Sequence, residues 1–240
     1  MRVAVACLAA CLLAPLARAE GESWPPAEGV HRYVFEAADP AILSRHVLVF
    51  LPRGYAQEKV PLIVFLHGAG ERGGEVEKMN GKQVFKFAAE HPDFGFAVAA
   101  PHLPAEARGF DPASLVGLID ELAERLPIDR TRIYLTGLSM GANAVWQTAA
   151  RYPQRFAAIV PIASRVDSAT ACAVKSTPVW AFHNEHDTLA LIKPVEEMIE
   201  AIRACEGSAR LTVYPQTGHN AWAKAYADPA LYEWLAGRKR

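Results

Sequence analysis

The pentapeptide Gly137-Leu138-Ser139-Met140-Gly141 joins an apolar run, Ile133-Tyr134-Leu135-Thr136, to a helix pattern extending to about Tyr152, just ahead of Pro153. This is the Gly-x-Ser-x-Gly arrangement of a nucleophile elbow, in the strand-to-helix context that gives it meaning. The chain must reverse within a few residues, so the serine backbone is strained, and side chains at the flanking positions would collide. The result is a hydroxyl held over a sheet edge at the positive end of a helix dipole. A serine hydroxyl is a poor nucleophile until a base takes its proton. His219, in Thr217-Gly218-His219-Asn220 after the apolar run Leu211 to Tyr214, is the candidate base. Asp187, at the end of His183-Asn184-Glu185-His186-Asp187, is the candidate carboxylate that holds the imidazole tautomer, with Glu185 as its competitor. The plainer readings are a serine helix cap, a solvated loop histidine and an exposed loop acid.

Acyl transfer also needs hydrogen-bond donors aimed at the developing oxyanion. The small-residue stretch His67-Gly68-Ala69-Gly70-Glu71-Arg72 follows an apolar run and can present bare backbone N–H groups. The expected donors are the N–H of Met140 and that of Ala69, with Gly68 and Gly70 as alternatives to Ala69. Glu71 and Arg72 form either a pair that shapes this loop or an ordinary surface ion pair. His67, Gly68 and Trp222 are candidate pocket residues, packing being the other reading of Trp222. Trp146 and Trp180 read as core. His183-x-x-His186 with Asp187 suggests a metal site, but a strand-to-loop peptide does not put residues i and i+3 on one face, and no metal is expected.

These groups need a scaffold that gathers distant segments. Apolar runs at His46–Leu51, Pro61–Leu66, Gly95–Ala100, Ile133–Thr136, Ala157–Ile162, Pro178–Phe182 and Leu211–Tyr214 carry apolar residues on both faces, as strands covered by helices require. Helix patterns lie between them. Leu115, Leu118, Ile119, Leu122 and Leu126 share a face after Asp111-Pro112 and before Pro127. Further helices are expected from Ser139 to about Tyr152, from Pro194 to before Gly207, and from Pro229 to Leu235. Strands alternating with helices imply an α/β fold, a mostly parallel sheet with helices on both faces. The segment Ala69 to Lys82 reads as an irregular surface loop, and Asn80 to Phe87 as a loop on the substrate side. No repeat or linker interrupts the pattern, so residues 20–240 read as one domain.

The chain has 240 residues, 51% hydrophobic, with 25 Lys+Arg against 26 Asp+Glu, which fits a packed domain and shows no basic excess for nucleic acid. Residues 1–19 read as a secretory signal peptide: Arg2, the apolar run Val3 to Leu16, then Ala17-Arg18-Ala19 as a cleavage site. Cleavage removes Arg2 and Arg18 and moves the formal charge from −1 to −3. No later stretch reaches the ~18 apolar residues of a membrane span. Leu8-Ala9-Ala10-Cys11 resembles a lipoprotein box, but the apolar segment runs on past Cys11, against a lipid anchor there. Export leaves Cys172 and Cys205 to pair in an oxidising compartment, the alternative being a small buried hydrophobe at Cys205 on the stripe Val195, Met198, Ile199, Ile202.

The chain resembles an α/β-hydrolase of the esterase/dienelactone-hydrolase-like group, nearest the "predicted peptidase" and feruloyl-esterase or polyhydroxybutyrate-depolymerase-type esterases. The matching stretches are His67 to Gly74, Asp129 to Tyr134 into the elbow, Ala142 to Phe156, Pro178 to Asp187 and Gly218 to Trp222. The order Ser139, Asp187, His219 is the nucleophile–acid–base order of that fold. The resemblance implies a Ser139–His219–Asp187 triad and an oxyanion hole from the backbone of Ala69 and Met140. It implies a secreted or periplasmic serine hydrolase of small-molecule or polymer-borne esters, working without a cofactor. A serine peptidase on the same fold and a non-catalytic binding protein are the alternatives. Two departures stand out: Ala142 where relatives repeat a glycine, and Asn184 where a glycine is usual, tolerable because Asn enters the left-handed region.

Overall fold

The computed structural model describes residues 27–36, 39 and 41–240; the expected signal peptide, its cleavage site and Cys11 lie outside them. The strands are β1 (Gly29–Val34), β2 (His46–Leu51), β3 (Val60–Leu66), β4 (Ala97–Pro101), β5 (Ile128–Leu138), β6 (Ala158–Ile162), β7 (Val179–His186) and β8 (Ala209–Thr217). The helices are α1 (Gln83–Glu90), α2 (Pro112–Arg125), α3 (Met140–Arg151), α4 (Lys193–Ala204), α5 (Trp222–Ala225) and α6 (Pro229–Ala236). The eight strands form one sheet in the order β1-β2-β4-β3-β5-β6-β7-β8. β1 and β2, and β2 and β4, pair antiparallel; every other neighbouring pair is parallel.

Strand alternation sends the core to both faces of the sheet. In β3, Leu62, Val64 and Leu66 join a cluster with Leu118 of α2, Val145 of α3 and Met198 of α4. Ile63 and Phe65 point the other way, into a cluster with Phe85 of α1 and Leu231 and Tyr232 of α6. This two-sided burial explains why the central strands read as unbroken apolar runs. The helix starts follow local chemistry: Asp111 caps α2 by accepting from the Ser114 N–H (2.8 Å), and Pro112 occupies its first turn. Asp228 and Pro229 do the same for α6.

Three segments differ from the sequence expectation. β1 stands where no strand was expected; in Gly-Val-His-Arg-Tyr-Val only Tyr33 is buried, and the strand exists because Val30 through Val34 register against β2 at the sheet edge. The segment Ala69 to Lys82 is not wholly irregular: Ala69–Glu71 and Val76–Met79 are 3₁₀ turns, and Val76 and Met79 are buried. Asn80 to Phe87 is not a loop throughout. From Gln83 onward it is α1, held by burial of Val84, Phe85, Phe87 and Ala88.

The topology decides where a site can form. The chain leaves β3 for β4 on one side, then crosses to β5 on the other, so the loops after β3 and β5 part in opposite directions. Open α/β sheets bind ligands in the crevice at such a switch point. The Ala69 turn and Ser139 follow these two strands.

Candidate active site

Ser139 caps α3 with φ 52° and ψ −115°, a backbone conformation that non-glycine residues rarely adopt and that costs about 1–3 kcal/mol. Its N–H donates to the Ile162 carbonyl (2.9 Å), and its own carbonyl accepts the first helical bond, from Asn143 (3.0 Å). The glycines are required by close approach. A Cβ on Gly137 would sit 2.7 Å from the Gly141 carbonyl carbon, and one on Gly141 would sit 2.6 Å from the Leu66 carbonyl carbon and 2.7 Å from the His67 oxygen. The strand, the turn and the neighbouring strand end therefore fit only without side chains at these positions.

The Ser139 hydroxyl donates to Nε2 of His219 (2.7 Å), and Nδ1 of His219 donates to Oδ2 of Asp187 (2.6 Å). The three residues come from the ends of β5, β7 and β8. Asp187 is buried, and burial alone would raise its pKa. The N–H groups of Ala190 (3.0 Å) and Leu189 (2.9 Å) on Oδ1 and His219 on Oδ2 outweigh that, so the carboxyl lies below its ordinary range. Glu185, the competitor, is exposed at the end of β7 beside His186 (3.9 Å) and is not part of this line. His183 and His186 part company: His183 is fully buried and donates Nε2–H to the Ala190 carbonyl (2.8 Å), while His186 is exposed. Among the described residues no cluster of ligating side chains could hold a metal.

A cleft of about 280 Å³ opens over Ser139, lined by Ala69, Met140, Asn143, Ala163, Arg165, Leu189, Ala190 and His219. Ala69 and Met140 are each the first residue of a helical turn, a position whose N–H has no acceptor within its own helix. Both N–H groups are thus free to meet a ligand atom beside Ser139. Gly68 and Gly70, the alternative donors, do not line the cleft. Trp222 stands edge-on to His219, ring centres 5.3 Å apart, and walls a second cavity of about 360 Å³ with Lys82, Lys86, Phe87, His91 and Tyr226.

Other expectations need correction. His67 does not reach the cleft: its ring is fully buried against His102 and Phe110, because β3 ends inside the sheet. Glu71 and Arg72 do not pair. Arg72 instead donates Nε to the Ala69 carbonyl (3.2 Å) and Nη1 to the Ala107 carbonyl (2.6 Å). Asn184 has no left-handed backbone; it lies within β7 and donates Nδ2 to the Gly218 carbonyl (2.8 Å) and Asn220 Oδ1 (2.9 Å), tying down the loop that carries His219. Its role was hidden because it depends on a partner 34 residues away. Arg165, which sequence reasoning passed over, lines the cleft through contacts of its guanidinium with the Leu189 carbonyl (2.6 and 3.2 Å). Trp146 and Trp180 are buried as core residues. Cys172 and Cys205 are joined by a disulfide with Cα atoms 5.4 Å apart. Among the described residues no helix is long and apolar enough to cross a membrane.

The sheet, its switch-point cleft and the strained serine turn define an α/β-hydrolase of the esterase and dienelactone-hydrolase type. The chain belongs to the Esterase PHB depolymerase family, which matches residues 45–211. A solved thermostable esterase is similar at 28% identity and TM-score 0.71, over 81% of this chain and 59% of that one. A Klebsiella pneumoniae protein provisionally named a dienelactone hydrolase shares the fold at 17% identity and TM-score 0.65, over 87% and 98% of the two chains. A Salmonella typhi protein, provisionally named a carboxymethylenebutenolidase, is 30% identical over 100 residues. That match spans 38% of this chain and 37% of the relative's length.

Proposed function

We propose that the protein is an exported serine hydrolase of carboxylic esters, with Ser139 as nucleophile, His219 as general base and acid, and Asp187 as the carboxylate that orients the imidazole. The observation that carries this reading is the continuous hydrogen-bonded line Asp187–His219–Ser139, at 2.6 and 2.7 Å, ending in a cleft with two unengaged helix-start N–H groups. Ser139 Oγ attacks the ester carbonyl as His219 Nε2 takes its proton. The N–H groups of Ala69 and Met140 hold the oxyanion, and the low pKa of Asp187 keeps the negative partner that the imidazolium needs. His219 then protonates the departing alkoxide. Water, deprotonated by the same ring, cleaves the acyl-enzyme to release the acid and restore Ser139. The substrate is a small-molecule or polymer-borne ester.

Export is supported by the signal-like residues 1–19 and by the disulfide, which suits an oxidising compartment. Mass spectrometry of the secreted or periplasmic protein is expected to find Glu20 at its amino terminus. For activity, p-nitrophenyl acetate and butyrate are the test substrates. Ser139→Ala is expected to keep the fold and lower kcat by roughly 10⁴–10⁶. A fluorophosphonate is expected to label Ser139. Turnover of aminoacyl anilides alone would make the protein a peptidase, and no adduct at Ser139 would make it a binding protein.

A further inference from the structure

Protonation of the leaving alkoxide fixes where the alcohol half of an ester must lie. The proton comes from His219 Nε2, the atom that meets Ser139 Oγ, so the alcohol stands beside the imidazole when the adduct collapses. His219 lines the cleft over Ser139, and Trp222 stands edge-on to its ring, centres 5.3 Å apart. Trp222 in turn walls the second cavity, whose volume of about 360 Å³ falls within the ~300–1,000 Å³ usual for small-molecule sites. That cavity lies between the start of α1 and α5. One follows the carboxyl end of β3 and the other that of β8, which places both walls at the sheet edge that carries Ser139.

We infer that this second cavity is the alcohol-side subsite and selects esters whose alcohol is aromatic and carries a carboxylate, the ring lying against Phe87 and Trp222 and the anion meeting Lys82 and Lys86. This rests on the ester-hydrolase reading above. The aromatic wall is already built. Phe87 stacks with His91 (3.7 Å between centres) and with Tyr232 (4.0 Å), and His91 Nδ1 donates to the Phe87 carbonyl (2.8 Å). The Tyr226 hydroxyl is held by Thr136 (2.9 Å), which leaves its ring to face the cavity. Side chains fixed before binding lose little freedom when a flat ring settles on them. The charge at the rim is positive. Glu90 is the one carboxylate that lines the cavity, and it sits 3.8 Å from Lys86 as an exposed pair that holds little energy. Among the described residues Lys82 pairs with no carboxylate, so its ammonium is uncompensated. The acyl half, bound at Ser139 with its oxygen between Ala69 and Met140, stays in the other cleft.

The test compares butyrate esters of three para-substituted phenols, bearing carboxylate, methyl or trimethylammonium. All three form the same butyryl-enzyme, so differences in kcat/KM report the alcohol half alone. The variant is Lys82→Glu with Lys86→Glu, both exposed side chains, and the methyl ester is the reference. Relative to that reference and to wild type, kcat/KM for the carboxylate ester is expected to fall roughly 5–20-fold. The trimethylammonium ester is expected to rise by a similar factor, and both shifts should shrink at about 0.5 M salt. Monophenyl succinate, which carries its charge on the acyl half, is expected to change less than about twofold against phenyl butyrate. In Trp222→Ala the preference for the methylphenyl ester over ethyl butyrate is expected to drop roughly fivefold, through loss of the aromatic wall. A shift below about twofold for the carboxylate ester, or one as large for monophenyl succinate, would overturn the inference alone. A wild type that neither labels with fluorophosphonate nor cleaves p-nitrophenyl butyrate would overturn the functional reading and this inference with it.

Discussion

Acidification should destabilise this protein through His67, and the size of the effect can be worked out. In the folded chain the His67 ring is held down to about 4, first by burial and then by His102 and Arg72, against 6.5 when exposed. Between those values the unfolded chain binds a proton that the native chain does not, so stability rises with pH across that window and is lost as pH falls from 6.5 toward 4. At about 1.4 kcal/mol per unit, the drop from pH 7 to pH 4.5 removes about 2.5 kcal/mol through this one ring. His183, also lowered by burial, acts in the same direction. Asp187, whose folded value lies below 3.8, keeps its contribution across this window and loses it at lower pH. The assay is urea unfolding at pH 7.0, 5.5 and 4.5 for wild type and His67→Gln. The wild type should lose about 2.5 kcal/mol more than the variant between the two extremes. Parallel losses in the two proteins would refute the reasoning, because they would show that the buried ring takes up its proton without unfolding.

Three further outcomes test the site and its supports. Gly141→Ala should cost about 3 kcal/mol or more and abolish ester turnover, since its Cβ meets main chain of Leu66 and His67 that cannot rotate away; a urea midpoint close to wild type would contradict the packing described here. Asp187→Asn should lower kcat by about 10⁴ and Glu185→Gln by less than about threefold, measured on p-nitrophenyl butyrate; the reverse pattern would move the acid to Glu185. Replacing both Cys172 and Cys205 by Ala opens a linkage spanning 33 positions and should reduce stability by roughly 3–4 kcal/mol on chain-entropy grounds, with kcat unchanged in the fraction that folds. Equal stability of the reduced wild type and the oxidised protein would refute it.

Much of this protein was legible in its residues because the signals are local. A strand covered on both faces must be apolar throughout, so the six inner strands announced themselves. The elbow did too, since only glycine fits at Gly137 and Gly141. The order of Ser139, Asp187 and His219 followed from which strand each one ends. Other features depend on partners far along the chain, and no local pattern carries them. β1 is a largely solvent-facing edge strand that exists through its pairing with β2. Asp187 rather than Glu185 faces His219 because the turn after β7 offers it the N–H groups of Leu189 and Ala190, while Glu185 is left in water. His67 looked like a cleft residue, yet the depth of the β3 end turned it inward against His102 and Phe110. Residue type decided which groups can do chemistry; the three-dimensional path decided which of them meet, because a hydrogen bond depends on distance in space and not on separation in the chain.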